Sequence, residues 1–247
     1  MLLAIDTSTH WASIGLFSGS TMLSCQEWEI GQQHSSQIFN GISQTLAAAQ
    51  ASQSDVSAIA VATGPGSFNG LRVAVTVAKT LAYVWNVPLV GIATLDGYAQ
   101  LQVQYTDATH FIAVSEAGRE ELYLSWYDLK DGIAVRAGHV TIATIVSLPA
   151  VAVPTIITGD VSEAHQGQLQ SQLGSLAHLA MPMIPSERVR GLGALAIHQL
   201  AAGAVSEVMS LQPLYVRQPN ITSSLRHSLP GGQQSGGDEV THQDIQV

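Results

Sequence analysis

Charged side chains are scarce in this 247-residue chain. Asp, Glu, Lys and Arg make up only 11% of it, against about 25% in typical soluble proteins. The only lysines are Lys79 and Lys130, and the formal net charge is -9. This balance excludes unaided, high-affinity binding of a nucleic-acid backbone. A surface with so few charges must consist largely of Ser, Thr, Gln, Gly or exposed apolar groups. Together with the high alanine content, this predicts an apolar patch that a partner covers.

Cysteine and long apolar runs are also nearly absent. Cys25 is the only cysteine, so no disulfide can form within the chain, and this predicts a reducing compartment. No basic residue is near it in sequence to lower its pKa, so we expect an inert, buried thiol. No uninterrupted apolar run approaches the ~20 residues of a membrane span, and the first residues have a strand pattern instead of a leader. We therefore expect a cytoplasmic protein that does not enter membranes.

The first hundred residues alternate between strand and helix patterns, and the apolar fraction of 46% is enough to form a core. Period-two alternation predicts an opening meander of three strands, and period-3.6 spacing predicts a helix after it. A buried strand, a second helix and another strand follow. The predicted strands are Leu2–Ile5, Trp11–Phe17, Thr21–Glu29, Ala58–Ala62 and Leu89–Ala93, and the predicted helices are His34–Gln50 and Leu71–Trp85.

The second half repeats this order. Its predicted strands are His110–Val114, Glu121–Tyr127, Ile133–Thr141 and Thr155–Thr158, and its predicted helix is Ser186–Ala202. The repetition predicts an α/β fold with two similar lobes, an N-terminal lobe over residues 1–105 that carries the partner-binding helices and a C-terminal lobe over residues 106–229. Residues 230–247 are rich in glycine and poor in apolar side chains, which predicts a disordered tail.

A glycine-rich turn, Gly64-Pro65-Gly66-Ser67-Phe68-Asn69-Gly70-Leu71-Arg72, joins the strand at 58–62 to the second helix. Three glycines at a helix N-terminus allow backbone N–H groups to converge on an anion. No Lys-Ser or Lys-Thr follows the last glycine, so the turn is not a P-loop. Two interpretations stay open, an anion site and a structural strand-to-helix turn, and the missing signature favours the structural one.

The helix that follows this turn is apolar nearly all round. One stripe consists of Leu71, Val75, Ala78, Ala82 and Trp85, and the other of Val73, Val77, Leu81 and Val84. A helix of this kind must be covered on both sides. A sheet can cover one side, and the cover of the other is either a neighbouring helix of the same domain or a second chain.

Several segments carry a resemblance to a known family. These are Ala4-Ile5-Asp6-Thr7-Ser8-Thr9, His34-Ser35, Gly64 to Arg72, Ser115 to Tyr127 and Leu211 to Arg217. Together they resemble the bacterial TsaB (YeaZ-like) family of tRNA threonylcarbamoyladenosine biosynthesis proteins, over roughly residues 1–220. The resemblance implies the actin, Hsp70 and sugar kinase superfold, with two similar lobes that each consist of a mixed sheet and flanking helices.

The resemblance also implies a function and partners. The family member is a non-catalytic subunit that binds and activates its paralogue TsaD, which transfers a threonylcarbamoyl group onto adenosine 37 of tRNA (t6A37). The ATPase TsaE is the third component, tRNA is contacted only through the complex, and no cofactor is implied. A homodimer through the same helices is the competing assembly.

The nucleotide-binding turns of the superfold are altered here. Asp6-Thr7-Ser8-Thr9 retains an aspartate but lacks the glycine that lets backbone approach a phosphate, so we expect Asp6 to brace the turn. The second-lobe turn, Ser115 to Gly118, has no aspartate, and the adenosine loop is reduced to Thr158-Gly159-Asp160. His34 is followed four residues later by Ile38, which removes the paired-histidine metal site of TsaD. These departures predict that the chain does not hydrolyse ATP and does not bind a metal at this position.

Two sets of site residues follow. The weak remnant of a nucleotide site consists of Asp6, Thr7, Ser8, Gly64, Gly66 and Ser67. The predicted partner or dimer interface consists of His34, Ile38, Ile42, Arg72, Val73, Val77, Leu81 and Val84.

Three alternatives remain beside the scaffold. In a glycoprotease-like peptidase Ser67 would be the nucleophile, although the Gly-x-Ser-x-Gly elbow is absent. A kinase-like ATPase would bind nucleotide in the remnant. Direct tRNA contact would use Arg217 and Arg226.

Overall fold

The computed structural model describes residues 1–30, 34–180 and 184–217. The predicted tail over 230–247 lies outside these residues. Two mixed sheets with flanking helices form the fold, as the sequence predicts. Within the described residues, no helix has both the length and the apolar character needed to cross a bilayer.

The first sheet has the strand order β3-β2-β1-β4-β5. Strands β1 to β3 form the predicted antiparallel meander, and β4 and β5 continue from β1 in parallel. The elements of this half are β1 (Leu2–Asp6), β2 (Trp11–Ser18), β3 (Thr21–Glu29), α1 (His34–Ala48), β4 (Ala58–Gly64), α2 (Phe68–Trp85), β5 (Leu89–Ala93) and α3 (Thr94–Gln102).

The second sheet has the order β11-β10-β6-β7-β8, and β9 pairs with β7 beside this path. It repeats the first sheet, because β6 to β8 are antiparallel and β10 and β11 are parallel to β6. Its elements are β6 (His110–Gly118), β7 (Glu121–Lys130), β8 (Ile133–Arg136), β9 (Thr141–Thr144), β10 (Thr155–Asp160), α4 (Glu163–Leu173), β11 (Ala177–Ala180) and α5 (Pro185–Ala201).

Alternate residues of β1 belong to two different cores, which shows that both faces of the first sheet are covered. Leu3 and Ile5 pack with residues of α1 and α2, whereas Leu2 and Ala4 pack with residues of α5. This is the period-two geometry of a strand that is buried on both faces.

The second sheet is also covered on both faces. Residues of β6 again alternate, with Ile112 and Val114 in the core beside α4 and with Phe111 and Ala113 in the core beside α3. Helices α3 and α5 pack on each other between the two sheets. The layers are therefore α1 and α2, the first sheet, α3 and α5, the second sheet, and α4.

Two segments of the predicted C-terminal lobe, helix α5 and the residues after it, pack on the N-terminal half of the chain. Helix α5 follows the second sheet in sequence but packs on β1, β2 and β5 of the first. After it, Ser206 N donates to Leu89 O at 2.7 Å, and Leu214 N donates to Thr63 O at 2.7 Å. Residues 206–217, called the strap below, thus run back along the N-terminal half. The boundary at residue 105 stays a prediction.

The single strand expected over Ile133–Thr141 is wrong, because the structure has two strands there. Gly138, at φ +104°, lies between β8 and β9. The two strands pair with opposite ends of β7, since Ile133 lies opposite Lys130 and Thr144 lies opposite Glu121. Helices α3 and α4 and strand β11 were not predicted.

Candidate functional sites

A cleft lies where the carboxyl ends of β1, β4, β6 and β10 meet. Its cavity measures about 550 Å3. Residues of both sheets line it: Ser8, Thr9, His10, Pro65, Gly66, Ser67, Tyr98, Ser115, Glu116, Asp160, Val161 and Ser162. The carboxyl ends of parallel strands are the usual ligand position in open α/β sheets, so the cleft is the first candidate site.

The glycine-rich turn packs tightly on the loop after β1. A Cβ on Gly66 would approach Ser8 O to 2.1 Å, and one on Gly70 would approach Thr7 O to 2.1 Å. Ser67 N donates to Ser8 O at 2.6 Å, so this amide is occupied by the chain itself. The glycines are needed for close backbone contact within the protein, which is the structural interpretation of the motif.

Ser67 begins α2 as its N-cap. Its Oγ accepts a hydrogen bond from Gly70 N at 3.3 Å. An N-cap serine stabilises the helix start by satisfying a free amide. This contact gives Ser67 a structural role that needs no nucleophilic activity.

The remnant Asp6-Thr7-Ser8 is also occupied by internal contacts. Asp6 Oδ1 accepts a hydrogen bond from Ser8 N at 2.8 Å, which braces the turn, and Thr7 Oγ1 donates to Gly70 O at 2.8 Å. All three residues are buried. Gly64, at φ +109°, ends β4 beside them. The structure thus brings the six remnant residues together as a packed turn.

Arg188 of α5 was missed by sequence reasoning. Its side chain is only 2% exposed. Nη1 donates to Asp160 Oδ2 at 3.1 Å, Nη2 donates to Trp11 O at 3.0 Å, and Nε lies 3.6 Å from Asp6 Oδ2. Burial lowers the pKa of Arg188, but the adjacent carboxylates of Asp6 and Asp160 raise it, and the net direction is upward. The guanidinium therefore stays charged beneath the cleft.

Glu116, near the end of β6, lines the cleft on the side of the second sheet. Its Oε1 accepts a hydrogen bond from Ser162 N at 2.9 Å and lies 2.8 Å from His165 Nδ1. Ser162 is the N-cap of α4. The carboxylate therefore lies at a helix N-terminus, the position that favours negative charge.

Three buried hydroxyls surround the cleft floor. Ser8 Oγ, Tyr98 Oη and Ser115 Oγ have no hydrogen-bond partner among the described residues. Burial raises the pKa of the Tyr98 phenol far above its usual value, so that Tyr98 is neutral. The floor is polar and closed to solvent at these atoms.

The second candidate site is the outer side of α2. Of the predicted interface residues, Arg72 and Val84 are exposed, and Val73 is half-buried. Ile38, Ile42, Val77 and Leu81 were also predicted at the interface, but α1, α2 and the first sheet bury them against each other, so these side chains do not lie on the surface of the chain. His34 begins α1, and its side chain lies outside the described part of the structure.

The accessible part of the outer side of α2 is a ridge whose residues belong to neither of the two apolar stripes predicted for this helix. It consists of Phe39, Phe68, Arg72, Thr76, Thr80 and Tyr83, and is called the α2 face below. A groove of about 590 Å3 runs along it between α1 and α2. A second groove of about 450 Å3 lies between α2 and the strap residues Val208 and Met209.

The strap supports one end of the α2 face. The rings of Tyr215 and Phe68 lie 5.1 Å apart, and the Arg72 guanidinium lies 5.2 Å from the centre of the Phe68 ring. Lys79 Nζ donates to Met209 O at 2.8 Å and to Leu211 O at 3.1 Å. Sequence spacing alone could have shown exposure at residues 72, 76, 80 and 83, which follow the helical period.

The arginines proposed for tRNA contact have separate outcomes. Arg217 is bound within the chain, since Nη1 donates to Ala117 O at 3.3 Å and Nη2 pairs with Glu121 Oε2. Arg226 lies outside the described residues.

Comparison with known proteins identifies the family. The family model "TsaD: tRNA N6-adenosine threonylcarbamoyltransferase" matches residues 29–216. The chain belongs to the TsaD family. Among proteins of this family, it is 27% identical over 224 residues to the tRNA threonylcarbamoyladenosine biosynthesis protein TsaB of Bacillus subtilis, a match that covers 87% of this chain and 93% of that protein. The TsaB of Escherichia coli is 32% identical over 126 residues, or 51% of this chain and 54% of that protein.

Solved structures agree with this assignment to the TsaD family. YeaZ from Pseudomonas aeruginosa superimposes with a TM-score of 0.72 at 26% identity, over 87% of this chain and 98% of that one. The ROK hexokinase of Thermus thermophilus, at 9% identity, has a TM-score of 0.52 over 82% of this chain and 99% of that one, and shows the fold alone. The predicted TsaB/YeaZ-like resemblance and the actin and sugar kinase superfold are both confirmed.

Proposed function

We propose that this chain is a non-catalytic scaffold subunit in the biosynthesis of tRNA threonylcarbamoyladenosine. In this proposal it binds the transferase TsaD through the α2 face and activates it together with the ATPase TsaE, and tRNA is contacted through the complex. The family match and the TsaB relatives support the pathway. The α2 face is the observation that supports binding.

The α2 face combines exposed apolar side chains with shape. Tyr83 is 76% exposed, Phe39 47% and Phe68 37%, and two grooves flank α2. Exposed apolar surface of this kind costs free energy in water and is typical of a protein interaction site. Arg72 is the charged exception, and it lies against Phe68.

The contacts in the cleft favour a subunit without catalysis. Asp6 is engaged by Ser8 N and faces Arg188, and Glu116 is engaged by His165. A catalytic acid, base or nucleophile must be free to contact the reacting atoms. The kinase-like ATPase alternative would require the Asp6 contacts to be broken, and the peptidase alternative would require Ser67 Oγ to give up the N-cap bond from Gly70 N.

Binding to TsaD is tested by a charge on the α2 face. Tyr83→Glu places a carboxylate at an exposed position, so the fold should be unaffected while contact with an apolar partner surface becomes unfavourable. We expect the dissociation constant for purified TsaD to rise about tenfold or more, as one unpaired charge in an interface costs more than 1.4 kcal/mol. Val77→Glu is unsuitable because Val77 is buried.

Tyr105→Glu is the matched control. Tyr105 is the same residue type at 63% exposure, and it follows α3 on the other side of the first sheet. Equal binding by the wild type and Tyr83→Glu would contradict docking through the α2 face. Weaker self-association of Tyr83→Glu without weaker TsaD binding would assign the face to a homodimer instead.

The scaffold function is tested separately by reconstitution. Purified TsaD and TsaE are assayed for threonylcarbamoyladenosine formation with and without this chain. We expect activity to depend on its presence and to decrease with Tyr83→Glu at limiting concentration. Full activity without the chain would contradict the function itself, and ATP hydrolysis by the isolated chain would favour the ATPase alternative.

A further inference from the structure

Arg188 joins the two sheets at the floor of the cleft. Asp6 ends β1 of the first sheet, and Asp160 ends β10 of the second. The guanidinium lies between them, with Nε 3.6 Å from Asp6 Oδ2 and Nη1 3.1 Å from Asp160 Oδ2. Its third contact, from Nη2 to Trp11 O at 3.0 Å, ends on β2 of the first sheet. One side chain thus contacts both halves of the fold.

The electrostatics of this cluster require a cation. The side chain of Asp6 is 2% exposed and that of Asp160 is 22% exposed. Two carboxylates that face a buried centre repel each other and have lost part of their hydration, and a positive charge between them offsets both costs. Arg188 supplies that charge, and its planar group reaches acceptors on both sides at once.

We propose that Arg188 is a built-in cation that holds the two sheets together and fixes their relative position, and we call its contacts with Asp6, Asp160 and Trp11 O the clasp. Glu116 supports this view from the other end of the cleft, because the chain's own carboxylate occupies the α4 N-terminus through Ser162 N and His165. Both the positive and the negative charge in the cleft therefore come from the protein. This inference does not depend on docking to TsaD.

Buried hydroxyl groups beside the clasp indicate that the floor of the cleft is closed to water. Ser8 Oγ in the loop after β1, Ser115 Oγ on β6 and Tyr98 Oη on α3 line the cleft and have no hydrogen-bond partner within 3.5 Å among the described residues. Water would satisfy such groups if the sheets separated. Their separation is opposed by the contacts of Arg188, which span the same floor.

Chemical rescue tests whether a cation is what the site requires. Arg188→Ala removes the guanidinium and leaves a space of its shape between two carboxylates. We expect Tm to fall by roughly 6–20 °C, because breaking a buried charge pair is strongly destabilising. Guanidinium chloride at about 20 mM should then raise the Tm of this variant by several degrees, whereas urea, its neutral isostere, should not.

Arg190→Ala on the same helix is the control, because Arg190 is only half-buried. Its Tm should change little and should not respond to guanidinium. A fall in Tm for Arg188→Ala no greater than for Arg190→Ala would overturn the proposal. Rescue by urea as effective as rescue by guanidinium would also overturn it, since it would show that filling the space is enough.

Asp160→Asn keeps the test valid if Arg188→Ala does not fold. This change removes one arm of the clasp at a partly exposed side chain. We expect faster hydrogen exchange at the backbone amides of Ser8 and Ser115, which lie on opposite sides of the cleft. Unchanged exchange at both would show that the contact does not hold the sheets together.

Discussion

Gly70→Ala is the sharpest test of how the glycine-rich turn works. In most helices the exchange is stabilising, by up to about 1 kcal/mol. Here the added Cβ would lie 2.1 Å from Thr7 O, whereas real Cβ contacts are almost never under 3.0 Å. The backbone of α2 and the loop after β1 must therefore separate by about 0.9 Å.

The magnitude follows from what this movement disrupts. Overpacking of a tight contact costs about 1–3 kcal/mol, and loss of the buried bond from Thr7 Oγ1 to Gly70 O adds about 1–3 kcal/mol. After the propensity gain, the expected net loss is about 3 kcal/mol, or a fall in Tm of roughly 6–12 °C for a protein of this size. Thermal unfolding followed by circular dichroism measures it.

Gly167→Ala provides the matched control. Gly167 lies inside α4, and a Cβ there would meet nothing within 4 Å. It should raise the free energy of unfolding by about 0.5–1 kcal/mol. If Gly70→Ala stabilises the protein as Gly167→Ala does, close packing is not the reason for a glycine at position 70. The result would then favour the anion-site interpretation of the turn over the structural one.

Two further predictions concern single side chains. Cys25 is half-buried and not fully buried as the sequence predicted. Its partial burial raises the pKa of the thiol to about 11, and Glu27 adds to the shift. This favours the protonated form in the folded state, so the contribution to stability is present below pH 9 and is lost as pH rises towards 11. At pH 8, iodoacetamide should modify native Cys25 roughly tenfold more slowly than the urea-unfolded chain, because the lower thiolate fraction outweighs the higher nucleophilicity of that thiolate, and equal rates would contradict the shift. Lys79→Met removes the bonds from Nζ to Met209 O and Leu211 O and should lower the free energy of unfolding by about 1–2 kcal/mol, with faster hydrogen exchange in the strap. Lys130→Met, at the other lysine and exposed, is the control, and equal effects of the two would show that the strap does not depend on Lys79.

Local sequence patterns were sufficient to predict most strands of the two meanders. The predicted Thr21–Glu29 and Leu89–Ala93 agree with β3 and β5 at both ends, because alternation and flanking turn residues act over a few positions. Helix α2 begins at Phe68, three residues before the predicted start, because Ser67 caps it. Helix α3 carries a glycine and little apolar periodicity, and its burial comes from contact with α5, which no local pattern records.

The cleft shows why site residues are harder to predict than elements. The helix containing Arg188 was predicted, but a single arginine on a helix is most often exposed. Its partners Asp6 and Asp160 belong to different sheets and meet it only after both sheets and α5 have packed. The six remnant residues lie near one another because they end or follow the adjacent strands β1 and β4, and their origin as a nucleotide site stays a prediction.

The two candidate sites differ in what they leave available to a binding partner. The α2 face leaves aromatic rings and Thr side chains exposed on one outer layer, where a partner can bury them. The cleft lies at the strand ends, where Arg188 and Glu116 already satisfy charges that a ligand would otherwise contact. Because the first sheet separates α2 from α5, a change in Arg188 can reach the α2 face through the strands of that sheet, of which β1 and β4 are fully buried. A clasp that keeps these strands in place would present the α2 face in one conformation whether or not nucleotide is available.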